Sequence, residues 1–342
     1  MTYVYEADTA DLVWRSAASD FKRGCGATTQ AGRGGITQEL LHVMFTIHDP
    51  RQRWIVSRRP AMNPAFAIAE VVWLLNGRND AAFVNHWNPR LPQYAGEGDC
   101  YHAAYGFRLR NEFGFDQLER AYHALSNNSD SRQIVLQIWN PQTDFPDISG
   151  NPVSPDIPCN ICAFPKVRNN KLEWLQIMRS NDLQRGLPYN FVQFTCLQEI
   201  MAGWLHVEPG AYCHVSDSLH TYANDVLDLH EFIAVDEMLN CDSLGLNWDE
   251  SRRVLSEMNR IMSAMIVPGL SYQAFQSLMS SRQLPPAYQN LLRLVAADSA
   301  RRKGWIQFAS ELMADCNNPA ISQAWERWSA RCERTVSKVA KC

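Results

Sequence analysis

Between Asp156 and Asn190 the chain reads DIPCNICAFPKVRNNKLEWLQIMRSNDLQRGLPYN, and several kinds of chemistry sit together in that stretch. Cys159 follows a proline and precedes the strand-like run ICAFPKV. A second such run, KLEWLQIM, ends at Arg179, and Arg168-Asn169-Asn170 between them suits a tight turn. Antiparallel pairing of the two runs would make thiol and guanidinium neighbours at one sheet edge. A nearby cation favours thiolate over thiol, and a soft thiolate suits addition to an electron-poor ring carbon such as C6 of a pyrimidine. Arg179-Ser180 offers a fork of donors and a hydroxyl, a natural pair for a monoester phosphate. Asn190, in the first turn of a helix that Pro188 begins, can donate and accept in one plane and so match the N3–H and O4 edge of uracil. An asparagine there also serves to satisfy backbone groups. His220 and Tyr222, two apart on a strand, face one side and could hold a sugar hydroxyl, or be satisfied core polars. Cys159 and Cys162 have the Cys-x-x-Cys spacing. No second ligand pair stands at finger spacing, and the pair leads into a strand rather than opening a helix, so neither zinc nor a thioredoxin-type site is expected.

The elements around this stretch read as follows. Residues 6–20 look like an amphipathic helix with Leu12, Val13 and Ala17 on one face. The Gly/Thr-rich loop RGCGATTQAGRGGITQ carries Arg33; it is either a phosphate-wrapping loop or a plain surface loop. Residues 39–58 are strand material (LLHVMFTI, RWIV) around an Asp-Pro turn. Asn63-Pro64 starts a helix that stops at Gly77. It is apolar nearly all round and hence buried, except that Glu70 interrupts it; such an acid must be paired, protonated or functional. Phe83, Trp87, Tyr94, Tyr101 and Tyr105 could wall a planar ligand or be core. Residues 115–126 read as a helix, 131–139 as a strand beginning with Arg132, and 222–239 as a helix. Residues 249–342 are almost wholly helical by pattern. The expected organisation is therefore a catalytic unit over residues 1–245 and a helical extension over 246–342.

Composition sets outer bounds. The chain has 342 residues, 46% of them hydrophobic, with 32 basic and 36 acidic residues and a net charge of -4. No global field draws it to nucleic acid or to a membrane surface, and any anionic ligand must be small and held by a few local arginines. No apolar run is long enough to span a bilayer. The N-terminal residues lack a signal-peptide core, so a cytoplasmic protein is expected. The ten scattered cysteines read as free thiols of a reducing compartment.

An ordered set of motifs makes the sequence similar to the thymidylate synthase superfamily over about residues 10–240. The set is Arg33 in its Gly/Thr loop, Glu70 with Trp73 and Gly77 in the buried helix, Tyr105-Gly106, Arg132 before a strand, Pro-Cys at Cys159, Arg179-Ser180-x-Asp182, Gly186 to Asn190, and His220-x-Tyr222. The resemblance implies an α+β fold with a large mixed β-sheet flanked by helices, here with an all-helical C-terminal extension, and a back-to-back homodimer. It implies that Cys159 adds to C6 of a pyrimidine nucleoside monophosphate and that the C5 enolate attacks 5,10-methylenetetrahydrofolate, with no metal. Glu70 would organise water and assist proton transfers, and Tyr105 would support removal of the C5 proton. Arg33, Arg179 and Ser180 would hold the phosphate, with Arg132 reaching in from a second subunit. Asp182 would bond the folate pterin, Asn190 would read the base, and His220 with Tyr222 would hold the ribose 3′-hydroxyl.

The chain departs from the synthases at several points. Asn160 stands where they usually have His, and Arg132-Gln133 replaces a pair of arginines. Pro92 and Tyr94 stand near the positions that usually offer tryptophans to folate, and a long helical stretch replaces a short apolar tail. Arg-Ser-Asn-Asp and Ser-Leu-His-x-Tyr look more like the bacteriophage deoxycytidylate hydroxymethylases. A tryptophan wall and closed tail keep water out during hydride transfer. Where these are changed, water addition at the C5 methylene is the expected fate, giving a hydroxymethyl product. The amide of Asn190 suits uracil, so dUMP is the expected substrate, ahead of dCMP or CMP. The rivals are an ordinary thymidylate synthase and a catalytically silent nucleotide- or RNA-binding relative.

Overall fold

The computed structural model describes residues 3–24, 27–32, 34–229, 235–280 and 284–339, with side chains of the last helix as far as Arg334. One mixed sheet organises the chain. β1 (Tyr3–Ala7), β3 (Gly35–Ile47), β8 (Glu208–Tyr222), β6 (Lys171–Met178), β5 (Asn160–Arg168) and β4 (Leu136–Gln137) lie side by side in that order. β2 (Thr28–Gly32) pairs with β3, and β7 (Asn181–Asp182) with β8. β8 runs parallel to β6 and β7 and antiparallel to β3. The β5–β6 hairpin turns on Asn169 and Asn170, both left-handed at φ +50° and +59°. Asparagine tolerates that region better than most residues, and two such residues in succession match the strand twist.

The helices before the middle of the chain are α1 (Ala10–Arg23), α2 (Pro64–Leu75), α3 (Ala81–Trp87), α4 (Pro92–Ala95), α5 (Tyr105–Phe107), α6 (Gln117–Asn127) and α7 (Pro141–Asp144). Then follow α8 (Leu187–Trp204), α9 (Ala223–Leu229), α10 (Trp248–Met265), α11 (Tyr272–Ser280), α12 (Pro286–Arg302), α13 (Ile306–Ala314) and α14 (Pro319–Val339). Two of them fix the site. In α2 every residue except Glu70 is buried. Asn63 caps it, its Oδ1 accepting from the Phe66 N–H at 3.1 Å while its Nδ2 donates to the Trp87 carbonyl at 2.8 Å. α8 is also buried nearly all round and packs between α2 and strands β6 and β8. α10, α12 and α14 pack on α2 from the other side. Their Met258, Ile261, Leu294 and Val295 belong to the same hydrophobic core as Ile68 and Leu75.

Several local readings of the sequence are corrected. The first helix begins at Ala10, because the Thr9 side chain accepts from the Leu12 N–H at 3.2 Å and caps it there; residues 3–7 form β1 instead. Leu12 faces outward, 39% exposed, away from buried Val13 and Ala17. The Gly/Thr loop is the β2–β3 hairpin. Residues 53–56 are not a strand: Trp54, Ile55 and Val56 are buried in succession, without the alternation of a ladder. The strand expected over 131–139 contracts to Leu136–Gln137, and the helix expected over 222–239 to Ala223–Leu229, with 230–234 outside the described residues.

Candidate active site

Cys159 lies just before β5, half-buried, and the β5–β6 hairpin sets it beside Arg179. The Arg179 backbone N–H donates to the Cys159 carbonyl at 2.9 Å, and its Nη2 lies 4.0 Å from Sγ. Nε and Nη2 also donate to the Pro158 and Ile157 carbonyls, at 2.9 and 3.2 Å. These bonds hold the guanidinium on the segment before β5 that carries the thiol. A fixed positive charge there favours the nucleophilic form.

Tyr105 opens α5. Burial pushes its phenol well above the usual range; Cys159, Asp156 and Glu70 add to this and Arg179 opposes it, so all four act on one hydroxyl. Its placement is enforced from two sides. The Asp156 carboxylate accepts from the Ala103 N–H at 2.8 Å, tying the loop before Tyr105 to the segment before Cys159. Gly106 lies so close to α2 that a Cβ would stand 2.2 Å from the Leu74 carbonyl oxygen. The Tyr105-Gly106 pair is therefore one device: the glycine lets the chain approach α2, and the tyrosine is carried in with it.

Glu70, on α2, keeps partial exposure as a residue, but its Oε2 is sealed and has no hydrogen-bond partner. Burial raises its pKa from 4.5 to about 8, against a hydrogen bond from Gln193 on α8. At neutral pH the carboxyl carries a proton and can donate it.

On the phosphate and sugar side, Ser180 Oγ lies 3.5 Å from His220 Nδ1, and the His220 and Tyr222 rings are 5.9 Å apart. The tip of the β2–β3 hairpin reaches this corner, since a Cβ on Gly34 would meet the Tyr222 ring at 3.0 Å. Arg33, expected here, lies outside the described residues. Arg132 is exposed on the loop before β4, and no described contact joins it to the Cys159 cluster. Asn190 is buried in the first turn of α8, its Nδ2 donating to Asn181 Oδ1 at 3.2 Å. Asn181 in turn meets the buried His214, whose pKa burial lowers to about 3.

Asp182 accepts from the Gln184 and Arg185 N–H groups, both at 2.7 Å, and burial raises its carboxyl. Tyr94, 43% exposed, joins the site through Arg185. Arg185 pairs with Asp225 at 2.8 Å and stacks its guanidinium 4.4 Å from the Tyr222 ring and 5.7 Å from the Tyr94 ring. Arg185 sits inside the Arg-Ser-Asn-Asp to Gly-Leu-Pro run, and nothing in its spacing marks it out. Asn181 and Gln193 are other polar residues beside the site that spacing alone does not single out. Among the described residues no three His, Cys, Asp or Glu side chains are grouped to hold a metal ion.

The arrangement thus groups a thiol, a fixed cation, a phenol and a neutral carboxyl. A family model described as Thymidylate synthase matches residues 26–262. The chain belongs to the thymidylate synthase family. Its large mixed sheet with flanking helices is the fold of that family. The Deoxyuridylate hydroxymethyltransferase of Bacillus phage SP01 is 37% identical over 206 residues, 57% of this chain and 53% of that protein. The protein of the same name from Pseudomonas phage M6 is 35% identical over 175 residues, 51% of this chain and 48% of that one. The Thymidylate synthase of Clostridium beijerinckii is 25% identical over 162 residues, 47% of this chain and 58% of that one. The chain spans about half the length of the curated relatives it matches.

Proposed function

We propose that this chain transfers a one-carbon unit to C5 of a pyrimidine nucleoside monophosphate, and that the reaction is 5-hydroxymethylation of dUMP. The observation that carries the proposal is the grouping of Cys159, Arg179, Tyr105 and Glu70 about one point. The names of the two phage relatives support uracil and a hydroxymethyl product.

The Cys159 thiolate adds to C6, and the electron pair of the C5–C6 double bond moves toward C5 and the C4 oxygen. C5 would then bond to the methylene carbon that the cosubstrate 5,10-methylenetetrahydrofolate supplies at the oxidation level of formaldehyde, and that carbon's bond to the folate nitrogen would break. Tyr105, with a phenol that stays protonated, orders the water that takes the C5 proton. Glu70, protonated at neutral pH, is placed to give and recover a proton as the bond to the cofactor nitrogen breaks. Water then adds to the exocyclic methylene, and Cys159 leaves from C6. Arg179, Ser180 and Arg33 hold the phosphate, Asn190 the base, and His220 with Tyr222 the sugar. The open shelf of Tyr94 and Arg185 beside Asp182 has the flat ring, cation and carboxylate that suit a pteridine with its acidic tail.

The homodimer belongs to the same reading. On the outer face of the sheet Met44, Val215 and Ile177 are register neighbours across β3, β8 and β6, and Cys213, Leu175 and Phe164 form a second apolar row. A second copy packed on that face would cover both rows and bring its exposed Arg132 toward this site. The protein is expected in the cytoplasm; no described helix is long and apolar enough to cross a membrane.

Exchange of the C5 hydrogen of dUMP for deuterium, without folate, tests the first step alone. Exchange that disappears in Cys159→Ala supports it, and a wild-type protein that binds dUMP without exchanging it is a silent relative. Should the same protein exchange and modify only dCMP, the uracil assignment is wrong. A methyl product with dihydrofolate would make it a thymidylate synthase.

A further inference from the structure

Asn160, the residue after Cys159, is fully buried on β5 and its Nδ2 has no hydrogen-bond partner. Buried donors are rarely left unpaired, and each one asks for an explanation. The orientation of this amide is fixed from outside. The Trp174 indole N–H can only donate, and it gives to Gln176 Oε1 at 3.0 Å. Gln176 Nε2 therefore donates, to the Cys162 carbonyl at 3.0 Å and to Asn160 Oδ1 at 2.6 Å. The carbonyl can only accept, so both ends of the relay agree. Turning Asn160 over would set its NH2 against that of Gln176. Its oxygen is thus committed to Gln176 and its two N–H bonds are left over.

A chain of contacts leads from the strand position of this donor to the base-reading residue. Asn160 is the cross-strand neighbour of Met178. Met178 Sδ accepts from Asn181 Nδ2 at 3.5 Å, and Asn181 Oδ1 accepts from Asn190 at 3.2 Å. Asn160, the residue after the thiol, is thus joined to Asn190 through Met178 and Asn181, and all three asparagines are buried.

We infer that Asn160 is a second reader of the base, donating its unpaired Nδ2 N–H to the C4 oxygen of the pyrimidine that Cys159 attacks. The inference rests on the proposed function and deepens it. Uracil carries an acceptor at C4, where cytosine carries an amino group. A donor held by Gln176 cannot reverse itself to suit the amino group, so it selects uracil by leaving cytosine with two donors face to face. It also acts on the reaction, because addition of the thiolate at C6 moves negative charge onto that same oxygen.

The test is nucleotide binding by calorimetry to the full-length protein. Three ligands are used: dUMP, dCMP and the 2-pyrimidinone deoxynucleotide monophosphate, which has only hydrogen at C4. In Asn160→Asp the carboxylate keeps an acceptor for Gln176 and puts a second acceptor where the donor was. Affinity for dUMP should fall about tenfold, that for dCMP should rise, and that for the pyrimidinone nucleotide should stay within about twofold. Asn160→Ala should narrow the preference for dUMP over the pyrimidinone nucleotide by about tenfold, leaving the part that Asn190 supplies, and serves if the Asp variant does not fold. Equal weakening of all three ligands would mean a structural role and would overturn the inference, as would unchanged preferences. A wild-type protein that binds none of the three sinks the proposed function and this inference with it.

Discussion

At the scale of single residues, the site depends on groups whose charge is set by burial. Glu70 holds its proton to about pH 8 because its oxygen is sealed between α2 and α8. A carboxyl whose pKa is higher folded than unfolded binds more protons in the native state between the two values. Its contribution to stability therefore falls as pH rises from about 4.5 through about 8. Glu70→Gln should remove that slope. Denaturant titrations are expected to show the variant gaining on the wild type as pH rises from about 4.5 to about 8, with no further gain outside that window. The same ionisation should appear in the pH profile of kcat/KM for the wild type and be lost from the residual activity of Glu70→Gln. An unchanged profile would remove Glu70 from the proton transfers. For Cys159→Ala we expect turnover below detection with nucleotide binding kept, because the thiol makes the bond on which every later step depends.

Elements position these groups, and here glycines are the weak points. Gly106→Ala would drive a methyl group into the backbone of α2 at Leu74. It should cost about 3 kcal/mol or more and displace Tyr105, read as a lowered midpoint in urea together with lost activity. Gly186→Ala would place Cβ 2.9 Å from Asn181 Oδ1, the atom that holds Asn190. It should damage nucleotide affinity more than stability. The hairpin that joins Cys159 to Arg179 was legible, because two apolar runs about a pair of asparagines have one simple pairing. So was buried α2, whose one acid stood out in an apolar run. The β2–β3 hairpin was not legible, since Gly and Thr residues that form an exposed ribbon carry no apolar alternation. Arg185 was missed for another reason. Its partners come from two segments far from it in sequence, Tyr94 on α4 and Tyr222 with Asp225 at the junction of β8 and α9, and only the fold brings them together.

For the whole molecule, the helices after residue 246 share their core with α2, the helix that carries Glu70. Arg331 of α14 donates to the Ala61 carbonyl at 2.5 Å, just ahead of the Asn63 cap. A chain cut after residue 245 would expose the face of α2 that Met258, Leu294 and Val295 now cover. It should lose cooperative unfolding by calorimetry; a truncated chain that unfolds with an undiminished transition would show instead that the helices are an appendage. Sedimentation of the full chain should give a dimer, and replacing Leu175 and Val215 on the outer sheet face by Glu should give a monomer of low activity. The most direct test of the account is the mass of the product. The protein is incubated with methylenetetrahydrofolate and an equimolar mixture of dUMP, dCMP, UMP and CMP, beside a Cys159→Ala control. The account predicts a hydroxymethyl increment on dUMP, no dihydrofolate, and nothing from the control. A methyl increment with dihydrofolate, or an increment that persists without Cys159, would contradict it.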